Sequence, residues 1–297
     1  MNALSALRTI SNDIDTTSKR ISTQMNIADA SDGPAYWTIA QTARSEIGVL
    51  SEVQTALNAG KGSLDVSAAS LSGIRENLQT LRDTLVSGLT FGVDRGELQN
   101  EVAGLISQME TLANSADFNG QNLVSVNSAA ADYNATYSTV AGVANNAAGA
   151  VVVTTIDLDV TSVTALDADA GGDGFLDLDR TVGGTTTDVM AIDISALTDS
   201  ATDITTLTET ISIVDAAITD AIDAEAAVGV AQSRVNSQGE FVQAIIDAKQ
   251  SAVSNLVAAD LEAEAARLTS LQTQQQLAVQ ALSIANNNVS QILGLFR

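Results

Sequence analysis

The residues of this sequence best suited to chemistry are aspartates around a glycine-rich stretch: Asp167, Asp169, Asp173, Asp177 and Asp179. Carboxylate oxygens are the ligands that hard cations such as Ca²⁺ prefer. Their spacing does not match the known calcium loops. An EF-hand loop beginning at Asp167 would place Gly171 and Leu178 at ligand positions, and a nonapeptide calcium repeat would need aspartate at Leu176. We therefore expect hairpin turns on an acidic surface, and predict no metal site.

Missing residue types exclude much other chemistry. The chain has no histidine and no cysteine, so it lacks the commonest general base, thiolate metal ligands and a cysteine nucleophile. The net charge of −23 argues against nucleic acid and against an anionic membrane surface as partners, because both need clustered lysine and arginine. We predict no catalytic residue and no cofactor, and an enzyme is the least expected class.

The elements of this chain are helices with narrow apolar stripes, and the clearest is the segment from Leu261 to the end. Its heptad positions form a seam typical of coiled coils. At about 1.5 Å per residue this helix would be roughly 55 Å long, too narrow to cover its own stripe, so a partner must cover it. The seam residues are Leu261, Leu268, Leu271, Ala278, Leu282, Ala285, Val289, Ile292 and Phe296.

The N-terminal segment offers a second seam. Residues 3–24 predict a helix with Leu7, Ile10, Ile14 and Ile21 on one face, so the two terminal helices could cover each other. The alternative is a terminal helix that closes an ordinary bundle. The N-terminus lacks the charged, apolar and cleavage regions of a signal peptide. Either the protein stays in the cytoplasm, or it leaves by a route without a cleaved signal.

The pattern between the termini predicts long helical rods interrupted by one insertion. After a break ending at Pro34, where Ser31 or Asp32 could cap the next helix, leucines recur every seventh residue from Leu50 to Leu85. A helix over 94–114 and an Asn-Gly turn follow. Residues 129–203 predict a small, mostly β insertion with several hairpins, and residues 156–160 alternate at period two. The insertion is acidic, with 11 aspartates and one arginine between 141 and 205. Helical spacing returns from Ile204.

We accordingly predict a mainly α protein with a small β insertion: long antiparallel helical rods, paired N- and C-terminal helices and a central β-rich lobe. Five domains are predicted. They are an N-terminal core helix with its connecting loop (1–34), half of a rod with a β-turn region (35–128), an outer acidic insert (129–203), the second half of the rod (204–254) and a C-terminal core helix (255–297).

Four segments in this order resemble the bacterial flagellins. They are ISTQMNIADASDGPA at 21–35; DR at 94–95 with LQNEV at 98–102 and ADFNG at 116–120; VAQSRVNS at 230–237; and QILGLFR at 291–297. AYW at 35–37 and the LFR end are most similar to flagellins of α-proteobacteria. The resemblance covers roughly residues 3–128 and 204–297, whereas the insert lies where flagellins vary most.

This resemblance implies a structural subunit of the flagellar filament, used for swimming motility. The terminal helices would form the filament core, the rods the surrounding shell, and the acidic insert the outer surface. The chain would polymerise with copies of itself, could admit related flagellins, and would meet an export chaperone, cap proteins and hook-associated proteins. It would leave the cell unfolded through the flagellar type III apparatus, without a cleaved signal, and function extracellularly.

Two departures from the family pattern matter. Flagellins carry about ten residues ahead of the position of Met1, so either the chain is truncated or it uses an internal start. The helix surface that the innate flagellin receptor contacts would comprise Arg75, Leu78, Arg82 and Asp83. Arg82 and Asp83 could stand for the family's Arg-Glu, but Thr80 or Asn77 replaces another arginine, so we predict weak or absent recognition.

Two alternatives stay open at this point, one with the same architecture and one of a different class. A hook–filament junction protein shares paired terminal helices, although it would more often carry larger folded inserts. The second is an adhesive or Ca²⁺-dependent binding module displayed by the insert.

Overall fold

The computed structural model of the chain describes residues 2–145, 151–169 and 172–295. Within these residues the helices are α1 (Asn2–Thr23), α2 (Pro34–Ser87), α3 (Arg95–Asn114), α4 (Ala201–Val257) and α5 (Leu261–Leu295). The strands are β1 (Asp117–Phe118), β2 (Gln121–Asn122), β3 (Ser125–Val126), β4 (Thr136–Asn145), β5 (Val151–Asp159), β6 (Leu166–Asp167), β7 (Arg180–Val182) and β8 (Thr185–Thr187). The prediction of a mainly α chain with a small β insertion is confirmed.

The chain divides into two compact units, of which the first comprises Met1–Val49 and Ala244–Arg297. In it the connection after α1 lies beside the connection between α4 and α5. The Asn26 N–H donates to the Val257 carbonyl at 2.7 Å, and the Ala259 N–H donates to the Gln24 carbonyl at 3.0 Å. Below these bonds lies a buried apolar cluster of Ile27, Ala40, Val253 and Val257. The bonds and the cluster together hold the two connections side by side.

The start of α2 differs from the expected capping. Pro34 occupies the first position of the helix as predicted, and the Trp37 N–H donates to the Gly33 carbonyl at 2.9 Å. The Asp32 carboxylate, however, accepts from the backbone N–H groups of Ala28 and Asp29, at 3.0 and 3.2 Å. This aspartate therefore stabilises the preceding turn rather than the helix end.

The second unit, Leu50–Gln243, is built on two heptad series. The series on α2 is buried at Leu57, Leu64, Leu71, Leu78 and Leu85, and the series on α4 is buried at Leu207, Val214, Ala221, Val228, Val235 and Val242. Arg75 Nε lies 2.8 Å from Glu225 Oε1, and Gln232 Nε2 lies 2.9 Å from Asp65 Oδ1. Because residue numbers fall on one helix as they rise on the other, α2 and α4 run antiparallel. This confirms the predicted rods.

Glycines that could have bent α2 instead make room for its neighbours. The helix continues unbroken over 54 residues. A Cβ at Gly60 would lie 2.4 Å from Thr139 of β4, and one at Gly62 would lie 2.7 Å from the ring of Phe118. Both contacts are shorter than a side chain permits, so glycine lets the start of the β region approach the helix closely.

The β region consists of short paired strands. β1 and β2 form a hairpin whose turn residues Asn119 and Gly120 both have positive φ, 56° and 81°, as the Asn-Gly motif predicted. β4 pairs antiparallel with β5, and β7 with β8. On β5 and just beyond it, Ile156, Leu158 and Val160 are buried, which confirms the predicted alternation.

A matched pair of Gly→Ala substitutions tests the packing of the second unit. A Cβ at Gly174 would lie 2.4 Å from the Ala165 carbonyl oxygen, whereas one at Gly104, within α3, meets nothing within 4 Å. We expect Gly174→Ala to lower the free energy of unfolding by about 1–3 kcal/mol, because the backbone must shift. Gly104→Ala is expected to raise it by about 0.5–1 kcal/mol, the helix propensity difference. Urea unfolding followed by circular dichroism measures both, and shifts of the same sign would contradict the packing described.

Candidate assembly surface

α1 and α5 pack against each other within the first unit. They run antiparallel, since the end of α1 and the start of α5 meet at the paired connections described above. Thr17 of α1 and Leu271 of α5 are buried between them. Of the predicted seam residues, Leu7, Ile10, Ile14, Ile21, Leu268, Ala278 and Leu282 are half-buried. Ala285, Val289, Ile292 and Phe296 lie outside the residues whose side chains the structure describes.

One charged pair interrupts the apolar seam. Glu264 occupies a seam position, and its Oε1 accepts from Arg20 Nη1 of α1 at 3.2 Å. Arg20 Nε and Glu264 Oε2 are also buried and have no hydrogen-bond partner among the described residues. A partly desolvated pair of this kind adds little net stability, but it disfavours other registers, which would separate the charges. The pair therefore aligns α5 on α1.

α5 has further apolar surface that α1 does not cover. Leu277 and Ile284 are 59% and 63% exposed, and Val279 is also exposed on another side of the helix. Leu261, predicted to lie in the seam, is 42% exposed at the first position of α5. The sequence analysis missed Leu277 and Ile284, although their spacing of seven residues places them on one face. A helix that is apolar on several sides is generally one that becomes buried.

Two of the aspartates that suggested a cation site, Asp167 and Asp177, accept hydrogen bonds from the backbone. Asp167 Oδ1 accepts from the Ser128 and Asp169 N–H groups at 2.9 and 3.2 Å, and Asp177 Oδ2 accepts from the Asp167 N–H at 2.8 Å. Burial raises the pKa of the Asp177 carboxyl above its ordinary value. Among the described residues, no three acidic side chains converge as metal ligands would. The carboxylates of Asp167 and Asp177 thus stabilise the local backbone.

The predicted receptor-facing surface requires one correction. Leu78 is fully buried, because it belongs to the leucine series of α2, so it cannot contact a receptor in the folded chain. Arg75 is half-buried and paired with Glu225, whereas Arg82 is more open and lies 2.9 Å from Asp83. The surface that remains from the prediction is Arg75, Arg82 and Asp83.

The loop after α1 contains a pH-sensitive contact. The Lys19 ammonium, together with the Ser31 hydroxyl, lowers the pKa of the Asp29 carboxyl to about 2. A depressed carboxyl pKa stabilises the fold above the unfolded value of 3.8, and this contribution is lost as pH falls toward about 2. We expect Lys19→Ala to raise the pKa of Asp29, as measured by NMR titration of its carboxyl carbon. Lys61→Ala, which removes another exposed lysine, should leave it unchanged; an unchanged value in Lys19→Ala would contradict the contact.

No helix within the described ranges combines the length and apolar character needed to cross a bilayer.

Comparisons with known proteins match both helical parts of the chain. Residues 1–129 match the bacterial flagellin N-terminal helical region, and residues 211–296 match the bacterial flagellin C-terminal helical region. Flagellin C of Rhizobium meliloti strain 1021 is 36% identical over 312 aligned positions, covering 100% of this chain and 97% of that protein. The flagellin of Brucella melitensis is 33% identical, again with 100% and 97% covered. Flagellin A of Rhizobium meliloti strain 1021 is 31% identical, with 100% and 98% covered.

Paired terminal helices, heptad-packed rods and an apolar outer face on α5 define a structural protein built to pack against other chains. The matches over the whole chain then give the family: the chain belongs to the bacterial flagellins and is similar to those of the α-proteobacteria Rhizobium meliloti and Brucella melitensis. It is a structural subunit of the flagellar filament, the extracellular polymer used for motility. Of the functions that the sequence left open, the matched relatives support the filament subunit.

Proposed function

We propose that the paired helices α1 and α5 are the part of the chain through which copies polymerise, and that they form the filament core. The observation that supports this is the exposed face of α5. Leu277 and Ile284 stay open to solvent although α1 already covers the seam. Fully burying a leucine or isoleucine contributes about 1.5–3 kcal/mol, which becomes available only when another chain covers these residues.

The assembly residues in this proposal fall into two sets. The seam aligns α1 with α5 within one copy, and the exposed face packs against neighbouring copies. Such a contact joins two different surfaces, so each added copy presents a new free surface and an open helical polymer results. The seam set is Leu7, Ile10, Ile14, Ile21, Leu261, Leu268, Leu271, Ala278, Leu282, Ala285, Val289, Ile292 and Phe296.

Before assembly, other proteins would need to cover the exposed apolar face of α5. Exposed apolar helix faces promote premature association, so we infer that an export chaperone covers α5 inside the cell. Export of the unfolded chain through the type III apparatus belongs to this proposal. At the filament ends, cap and hook-associated proteins would take the place of the missing neighbour.

Seeded assembly tests the proposal. The purified chain is mixed with sheared filament fragments and followed by sedimentation and negative-stain microscopy, in parallel with a form that lacks residues 261–297. We expect filaments from the full chain and none from the shortened one. A full chain that stays monomeric with seeds, or a shortened chain that polymerises, would contradict the role of α5.

We also propose that the innate flagellin receptor recognises this chain weakly or not at all. Arg75 and Arg82 each pair with a carboxylate of the same chain, and Thr80 stands where a further arginine of the family could stand. Receptor binding would require these arginines to leave their carboxylate partners, and the free energy that this costs would offset part of the free energy gained on binding. A receptor reporter-cell assay should give a response far below that of a strongly stimulatory flagellin. A comparable response would refute this part.

A further inference from the structure

The most exposed large apolar side chain of the described residues is Phe91, 86% exposed in the loop between α2 and α3. The loop is well defined. The Gly92 N–H donates to Asp199 Oδ2 at 3.0 Å, and Gly92 has a φ of 81°, which glycine adopts without strain. The Leu89 and Thr90 N–H groups donate to the Val86 and Ser87 carbonyls, both at 3.1 Å. The loop thus holds a phenyl ring in solvent, where the ring contributes nothing to folding.

A groove in the first unit has the chemistry to accept such a ring. It has a volume of about 440 Å³ and is lined among others by Met25, Arg44, Ile47, Val253 and Val257. Val253 and Val257 belong to the buried apolar cluster, so the floor of the groove is apolar. Arg44 Nη2 lies 3.4 Å from Met25 Sδ. Thioether sulfur and guanidinium groups both make favourable contacts with aromatic rings.

We propose that Phe91 of one copy inserts into this groove on a second copy in the filament. The inference rests on the proposed function, since it requires copies packed side by side. Every copy carries both the ring and the groove, so the contact repeats along a polymer without being used up. The charges also match: the loop leads into Asp94 and Glu97, whereas the described lining of the groove includes Arg44 and no carboxylate.

Disulfide trapping tests this contact directly, because the chain has no cysteine of its own. Phe91→Cys is combined with Ser254→Cys, which lines the groove on α4. The control combines Phe91→Cys with Ser237→Cys, another exposed serine of α4 that lies outside this groove. Filaments of each are treated with a mild oxidant and run on a non-reducing gel. We expect a ladder of dimers and larger multimers from the groove pair, and monomer from the control.

If the cysteine variants do not assemble, a second measurement tests the same contact. Phe91→Ala should melt at the temperature of the unchanged chain, because the ring is exposed, yet raise the critical concentration for assembly about tenfold or more. Phe91→Trp, which keeps an aromatic ring, should stay near the unchanged value. Filaments without a ladder, an equal ladder from the control, or an unchanged critical concentration in Phe91→Ala would each overturn the inference. If the unchanged chain itself fails to polymerise, the proposed function fails first.

Discussion

Replacing Leu277 and Ile284 of α5 together by glutamate is expected to abolish filament formation and leave the monomer folded. Both side chains are more than half exposed in the single chain, so the substitutions remove little of the packing that its fold uses. In the polymer the same positions would place two carboxylates in an apolar contact. The lost burial alone is worth about 2–4 kcal/mol per copy, a rise in critical concentration of about thirtyfold or more. Sedimentation across a concentration series, with circular dichroism of the monomer, measures both effects.

The chain offers a matched control on the same helix. Gln276 and Ser283 are also exposed and also seven residues apart, and Gln276→Glu with Ser283→Glu adds the same charge one position earlier. We expect this variant to polymerise with a much smaller rise in critical concentration, because no apolar surface is lost. Equal behaviour of the two double variants would mean that added charge, rather than the apolar face, explains the loss. Normal assembly of the first variant would contradict the proposed surface.

The second large effect is expected from Asp199→Ala in the second unit. Arg95 is 4% exposed, and its guanidinium donates to Asp199 Oδ1 and to the Gly88 carbonyl, both at 2.9 Å. The substitution leaves a buried cation without its carboxylate and also frees the Gly92 N–H. Because Asp199 is partly open to water, we expect a loss of about 2–3 kcal/mol, toward the lower end for broken buried pairs. For a unit of this size the melting temperature should fall by about 5–10 °C.

Asp83→Ala is the control for this prediction. It removes a carboxylate that is also paired with an arginine, Arg82, but this pair lies at the surface. Exposed ion pairs contribute at most about 1 kcal/mol, so its melting temperature should change by only a few degrees. Thermal unfolding followed by circular dichroism compares the two variants. Similar melting temperatures would show that the burial of Arg95 does not matter for stability.

The helices could be predicted from sequence because their signals are local and repeated. The leucines of α2 recur every seventh residue, and the break at Ala258–Asp260 leaves α5 to begin at Leu261, where its heptads begin. The β1–β2 turn was equally local, since Asn-Gly favours the positive φ angles of its turn. In each case a few neighbouring residues decide the conformation.

Strand pairings between residues far apart in the sequence could not be predicted from such local patterns. β3 pairs in parallel with β6 some forty residues later, and the β4–β5 register shifts between Val140 and Gly142. Both depend on packing that no local pattern records. Leu78 was a different error: its place in the leucine series already predicted burial, and the family resemblance placed it on a surface instead. The outer face of α5 was missed because the stronger seam beside it accounted for the helix.

Helical reconstruction of the filament by electron cryomicroscopy is the most direct test of the central claim, that copies join through the uncovered face of α5. We expect Leu277 and Ile284 to be buried against neighbouring copies, with Arg20 and Glu264 still paired within one copy. A reconstruction in which both apolar side chains face solvent, while α1 and α5 contact no neighbouring copy, would contradict it.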